Sequence, residues 1–263
     1  MNLEREINDI QLVPIMPSLA EWLQLTLSRK PEPHLVENIL PHKAGEYCII
    51  AGRTGIGKTA MALNLAFCLA RGTPFLKFGC QKCVVGILAL EGDERNFAER
   101  LQKLGAVFPL PNNNLRFALI EPDRPERVLK KIAELSSGLR VLIIDGARYI
   151  IPGDYCSPKD ARSFIVYLKR MLREKGISAI LTLQLSKPSN RTLSTGADIY
   201  RVKGATELVD DATSVMLIER VPWGKSNDLV VLSFVKHRIS RDELLDLSLS
   251  YERETCLFRD LGN

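Results

Sequence analysis

No apolar stretch in the 263-residue chain approaches the ~18 residues that a membrane-spanning helix needs. The first residues, Met1-Asn2-Leu3-Glu4-Arg5-Glu6, carry acid and lack an apolar core, so no secretory signal is expected there. No internal repeat and no low-complexity tract is visible. Metal-binding signals are sparse: there are six cysteines and three histidines. Cys80-Gln-Lys-Cys83 has no second CxxC and no histidine pair to complete a tetrahedral site. It reads as a turn before a strand, the rival reading being half a zinc site or a redox pair. Cys48 and Cys68 sit in apolar segments and read as small core residues. Charge is not one-sided either. The 36 basic and 31 acidic residues leave a net +5, which tolerates an anionic partner without demanding one. What remains is a globular chain of ordinary composition, 46% hydrophobic and 25% charged, expected to be cytoplasmic with no membrane partner.

What is present is a full GxxxxGKT loop: Gly52-Arg53-Thr54-Gly55-Ile56-Gly57-Lys58-Thr59. The apolar run Tyr47–Ala51 before it reads as a buried strand. The run Ala60–Ala70 after it reads as a helix ending at Arg71-Gly72. Strand, glycine loop and helix together form the context of a phosphate site. Gly52, Gly55 and Gly57 permit positive φ and keep Cβ atoms away from a phosphate. The loop N–H groups and the first helical turn then cradle the anion. Lys58 is expected to reach the β- and γ-phosphates and the Thr59 hydroxyl to bind Mg²⁺. The expected ligand is ATP with Mg²⁺, held by residues 52–59 and Ala60.

Two parts are expected along the chain. Residues 1–40 form a segment with a short helix over 18–29, whose Leu19, Trp22, Leu23 and Leu27 share one face. That face is covered either by its own domain or by a neighbouring subunit. Residues 41–263 form the second part. From residue 45, strands 84–90, 115–120, 140–144 and 177–184 alternate with helices 93–104, 124–136 and 158–175. This predicts an α/β fold with a mainly parallel sheet covered on both faces. Residues 213–219, 228–236, 244–250 and 254–259 follow as consecutive strands, with turns at Pro222-Trp223-Gly224 and Ser240-Arg241-Asp242. They predict an antiparallel extension.

Polar residues close several strands at the carboxyl edge, where such sheets bind ligands. Asp145 ends Val141-Leu142-Ile143-Ile144 and reads as the second Mg²⁺ ligand. Glu91 ends the strand after the P-loop helix and can polarise an attacking water, since Asp93 is available to cap the next helix. Gln184 ends a further strand and reads either as a γ-phosphate sensor or as an exposed strand end. Lys236 and Arg238, two apart on a strand, point the same way. They read as a solvated edge in a monomer and as a finger toward the neighbour's nucleotide in a ring. The stretch 186–203 carries Lys187, Arg191, Arg201 and Lys203 against a single acid, Asp198. With Arg148, Tyr149 and Lys159 from the loop after Asp145, it suits contacts to single-stranded nucleic acid; the rival reading is a solvated loop.

These pieces resemble the RecA-like P-loop ATPases, and among them the plasmid RepA-type and DnaB-type hexameric replicative helicases. The resemblance spans about residues 35–260. It rests on the P-loop with Thr59, on Leu88-Ala89-Leu90-Glu91, on Leu142-Ile143-Ile144-Asp145, on Gln184 and on Gly204–Ala212; Ala70–Leu76 looks RepA-type. It implies a RecA-like fold, with Glu91 as catalytic base and Gln184 as sensor at the start of a DNA loop. It also implies that Lys236 and Arg238 act on the neighbouring subunit's ATP. The implied partners are single-stranded DNA, further copies in a hexameric ring, and loader or replication proteins. A departure is the short 1–40 segment where the family carries a primase-binding or loading domain, so an ATPase core from a plasmid or other mobile element is expected. Two rivals stand beside this reading. One is a nucleotide-switched module of the KaiC or recombination-mediator kind, with slow hydrolysis and a protein partner. The other is a P-loop kinase, which would leave Glu91 and the Lys-x-Arg pair unexplained.

Overall fold

The computed structural model describes residues 18–28, 33–111, 113–121, 123–154, 156–186, 199–204, 206–221, 228–239 and 243–262. Contacts divide the chain into Met1–Glu32 and Pro33–Asn263. In the first unit, α1 (Leu19–Leu27) begins at a reciprocal cap. The Ser18 hydroxyl accepts from the Glu21 N–H, and the Glu21 carboxylate accepts from the Ser18 N–H, so two end groups of the helix are satisfied at once. No residue of α1 is buried, the Leu19–Trp22–Leu23–Leu27 face included.

The second unit opens with β1 (His34–Val36) and β2 (Leu40–Pro41), then β3 (Tyr47–Gly52), α2 (Lys58–Arg71) and β4 (Val85–Ala89). Next come α3 (Glu94–Val107), β5 (Leu115–Leu119), α4 (Pro125–Leu135), β6 (Val141–Asp145) and a 3₁₀ turn, Ala147–Ile150. The chain continues through α5 (Pro158–Lys175), β7 (Ser178–Gln184), a second 3₁₀ turn (Ile199–Arg201) and α6 (Thr206–Asp211). It ends with β8 (Ser214–Arg220), β9 (Leu229–His237), β10 (Leu247–Glu252) and β11 (Leu257–Asp260). Leu35, Val36, Ile39 and Leu40 are fully buried in this unit's core, so its first residue is Pro33 rather than residue 41.

Nine strands form one sheet in the order β11-β10-β9-β8-β3-β7-β6-β4-β5. Strands β8 through β5 in that order are mutually parallel, and β9, β10 and β11 add antiparallel. The expected architecture is therefore present, with one refinement: β8, expected as the first antiparallel strand, runs parallel to β3. The α6 segment between β7 and β8 supplies the crossover that a parallel pair needs. Both expected turns, 222–224 and 240–242, lie outside the described residues.

Alternation along the strands makes two cores. Cys48, Ile50, Val85, Ile87, Val141, Ile143 and Ile180 face α2, α3 and the β1–β2 hairpin. Tyr47, Ile49, Leu88, Leu142, Ile144, Ala179 and Leu181 face α4, α5 and α6. With helices on both faces, strands such as β6 are apolar throughout, and only the strand ends carry polar groups. Register brings those ends level. Gly52 pairs with Gln184, and Ala89 with Asp145.

Candidate active site

The loop between β3 and α2 is built from glycine for two different reasons. Gly55 and Gly57 adopt φ of +76° and +108°, in the left-handed region. Gly52 does not; it is needed for space, because a Cβ there would stand 2.6 Å from Ile218 Cγ2 and 2.9 Å from the Ile218 carbonyl oxygen. The expectation of positive φ at Gly52 is thus corrected. Arg53, Thr54 and Gly55 are exposed, while Ile56 is buried under the loop and Ala60 in the core. No side chain caps α2, so its first N–H groups are left for an anion.

Lys58 lies back across the loop, its Nζ donating to the Arg53 carbonyl at 3.0 Å. Burial lowers its pKa; Glu91 and Asp145 oppose that, and Arg148 adds to it. Thr59 Oγ1 donates to Asp145 Oδ2 at 2.7 Å. Thr182 Oγ1 donates to Asp145 Oδ1 at 2.7 Å and accepts from the Gly146 N–H at 2.8 Å. Asp145 is only 5% exposed, and these two hydroxyls satisfy it, as a buried carboxylate requires. A hydroxyl and a carboxylate meeting beside an uncapped helix N-terminus are the hard-oxygen donor set that Mg²⁺ takes, so Thr59 and Asp145 fit the ion.

Glu91 lies just beyond β4. Asp93 caps α3, accepting from the Asn96 N–H at 2.9 Å, so capping places no demand on Glu91. Gln184 stands half-buried beside the loop, and the next residue binds it directly: Leu185 N–H donates to the Gly52 carbonyl at 3.1 Å.

The sequence of residues 13–190 matches the model of the AAA domain. The chain belongs to the AAA-domain family. No curated protein matches it. Two solved structures share its fold. The ATPase domain of one DnaB-like replicative helicase superposes with a TM-score of 0.68 at 18% identity, covering 94% of this chain and 100% of that one. A second DnaB-like replicative helicase, whose structure was described with its interactions with primase, superposes with a TM-score of 0.70 at 18% identity. That match covers 98% of this chain and 70% of the helicase chain. At this identity the likeness is one of fold: the chain has the RecA-like architecture of replicative-helicase ATPase domains.

Next to the phosphate loop of this AAA domain is a cavity of about 540 Å³. Gly55, Gly57, Lys58 and Thr59 line one side, Asn96, Arg100 and Lys103 of α3 another, and Tyr251 and Arg253 a third. A buried amide holds that third wall in place. Asn64 on α2 donates to the Cys256 carbonyl at 2.8 Å and accepts from the Phe258 N–H at 3.0 Å. Nothing local in the sequence marked Asn64 or the cavity wall, because α2 and β11 meet across some two hundred residues of chain.

Lys236 and Arg238 do reach the same place, as their spacing required. Lys236 Nζ donates to the Val209 carbonyl at 2.6 Å and to that of Asp210, which also accepts from Arg238 Nη2. They thus cap the C-terminal end of α6, where cations complement the helix dipole. Burial, with the Arg238 charge next, lowers the Lys236 pKa to about 8. They lie at the edge of the sheet opposite to their own P-loop. His237 pairs with Ser214, and Ser214 with Cys48, four residues before Gly52, a separation of roughly 13 Å along the strands.

Of the expected nucleic-acid contacts, Lys187 and Arg191 lie outside the described residues. Lys203 is exposed. Arg201 is not free for a phosphate: its guanidinium is largely covered and pairs with Glu219 at 2.8 Å. The ends of this loop are clipped together, Ser186 N–H to the Arg201 carbonyl at 2.8 Å and Lys203 N–H to the Gln184 carbonyl at 2.7 Å. Arg148 also departs from expectation and pairs with Glu91. At the CxxC, Cys80 and Cys83 are free thiols that burial pushes up to about 12 and about 11. No cluster of metal-ligating side chains occurs among the described residues.

Proposed function

We propose that this AAA domain hydrolyses ATP as a motor of the replicative-helicase kind, working as a ring of copies on single-stranded nucleic acid. The observation that carries the reading is the meeting of Thr59, Asp145 and Thr182 beside an uncapped P-loop helix, with Glu91 and Gln184 ending adjacent strands.

In this reading the triphosphate lies along the N–H groups of residues 53–59, and the nucleoside occupies the adjoining cavity. Lys58 leaves the Arg53 carbonyl and takes the β- and γ-phosphate oxygens. Thr59 and Asp145 hold Mg²⁺, which when bound neutralises charge developing on the phosphates. Glu91 accepts a proton from the attacking water. Gln184 senses the terminal phosphate, and the Leu185–Gly52 hydrogen bond passes its position to the base of the 186–203 loop. The separation of Lys236 and Arg238 from their own P-loop favours action on a neighbour's nucleotide. The exposed α1 face favours assembly of copies. Loader or primase-like proteins are the further partners of this reading, and a mobile-element setting and a cytoplasmic location complete it.

The test is steady-state ATP turnover across protein concentration, with and without single-stranded DNA. Turnover per subunit should rise with both. Arg238→Ala should lower it by ~10³ or more while leaving nucleotide binding intact. Turnover per subunit that is independent of concentration, of DNA and of Arg238 sinks the ring motor in favour of a slow nucleotide-switched module.

A further inference from the structure

The Glu91 carboxylate is held by a neighbour. Its Oε2 lies 3.4 Å from Nη2 of Arg148, on the 3₁₀ turn that follows β6. The same guanidinium lies over the Tyr149 ring, 4.4 Å from its centroid, and donates to the Tyr149 hydroxyl. Its Nε is buried without a hydrogen-bond partner. Gly146 makes room for this approach. It sits at φ +88°, and a Cβ there would stand 2.4 Å from Glu91 Cγ and 3.0 Å from Oε1. The carboxylate is therefore folded against the end of β6.

Two features make this contact exchangeable. Both side chains are about one-third exposed, 35% and 36%, and ion pairs so placed are weak. Arg148 also acts electrostatically on Lys58, so it stands between the carboxylate and the phosphate-binding amine. A guanidinium fork suits carboxylate and phosphate oxygens alike. Stacking on Tyr149 keeps its plane oriented, and Nε is a donor still to be used.

We propose that Arg148 is a positioning residue for Glu91, holding the carboxylate back in the nucleotide-free protein and moving onto the terminal phosphate of a bound nucleoside triphosphate, which frees Glu91 to meet water. This rests on Glu91 being the base.

The experiment compares wild type, Arg148→Ala, Arg148→Lys and Glu91→Gln in the full chain. Affinity is measured for ADP and for a non-hydrolysable ATP analogue, and kcat and KM are measured for ATP. Arg148→Ala should bind the analogue ~10–100-fold more weakly, the loss of a charge-assisted hydrogen bond, yet bind ADP as wild type does. KM should rise with kcat retained, and Arg148→Lys should restore part of the analogue affinity. Equal losses for ADP and the analogue, or loss of kcat without a change in KM, overturn the proposal. If Arg148→Ala does not fold, the ADP-against-analogue comparison on Arg148→Lys decides alone, and an unchanged ratio overturns it. Wild-type turnover in Glu91→Gln removes the base itself. An inactive Glu91→Gln with unaltered ligand discrimination in the Arg148 variants removes only the role of Arg148.

Discussion

Thr59 and Asp145 meet at 2.7 Å, joining the first turn of the P-loop helix to the end of β6. The residues are 86 positions apart, and their contact turns two separate phosphate-site signals into one site. Thr182 closes the arrangement from β7.

Thr182→Val keeps the shape and removes the hydroxyl. Asp145 Oδ1 and the Gly146 N–H then both lose their partner in a buried position. A destabilisation of ~1–3 kcal/mol is expected, together with weaker Mg²⁺-dependent nucleotide binding. Urea unfolding and nucleotide titration with and without Mg²⁺ check both parts. An unchanged midpoint would show that Asp145 does not depend on Thr182.

Gly52→Ala and Gly55→Ala should separate the two uses of glycine. At Gly52 the added methyl meets Ile218, backbone included, and overpacking of ~1–3 kcal/mol is expected. At Gly55 nothing lies within 4 Å of the new Cβ, so only the left-handed φ is penalised, by ~1–2 kcal/mol. Crystal structures of the two variants should show β3 and β8 displaced in the first and only the loop altered in the second.

Lys203→Ala and Arg201→Ala should behave differently despite their similar sequence setting. Lys203 is exposed, and losing it should reduce the salt slope of single-stranded DNA binding by ~1. Arg201 pairs with Glu219. Its loss should lower stability and loosen the clipped loop base, with no separate change in slope. Salt titrations of binding, paired with thermal melts, distinguish the two. Identical salt slopes would place Arg201 on the nucleic acid after all.

Lys236 predicts a pH dependence. Its folded pKa lies near 8, below the ordinary 10.5, so between those values the unfolded chain binds more protons. Stability contributed through this residue therefore rises as pH rises from about 8 toward 10.5, and the burial of its charge is a fixed penalty below that window. Relative to Lys236→Met, wild type should gain stability across that window in denaturant unfolding. A flat difference would show that its ammonium is not strained by burial.

The strand ends were legible because they depend on local pattern. Four apolar residues followed by Asp145, or three followed by Glu91, identify a carboxylate at the rim of a covered parallel sheet. The P-loop was legible for the same reason. Thr182 was not: a threonine inside an apolar strand looks like any other, and its meaning comes from register with β6. Arg148 and Arg201 misled, since a basic residue in a loop suggests a phosphate partner, whereas folding placed Glu91 and Glu219 beside them. Gly52 misled by chemistry. Glycine advertises positive φ, yet here it answers only the nearness of Ile218.

The sequence alone determined the RecA-like class, the phosphate loop and which residues end each strand, because strand alternation, glycine spacing and helix caps act within a few residues. Only the tertiary structure decided which of those groups touch, that β8 joins the parallel block, and that Lys236 and Arg238 face away from their own nucleotide loop. Each of these follows from strand order and register, which are set by packing between segments far apart in the chain.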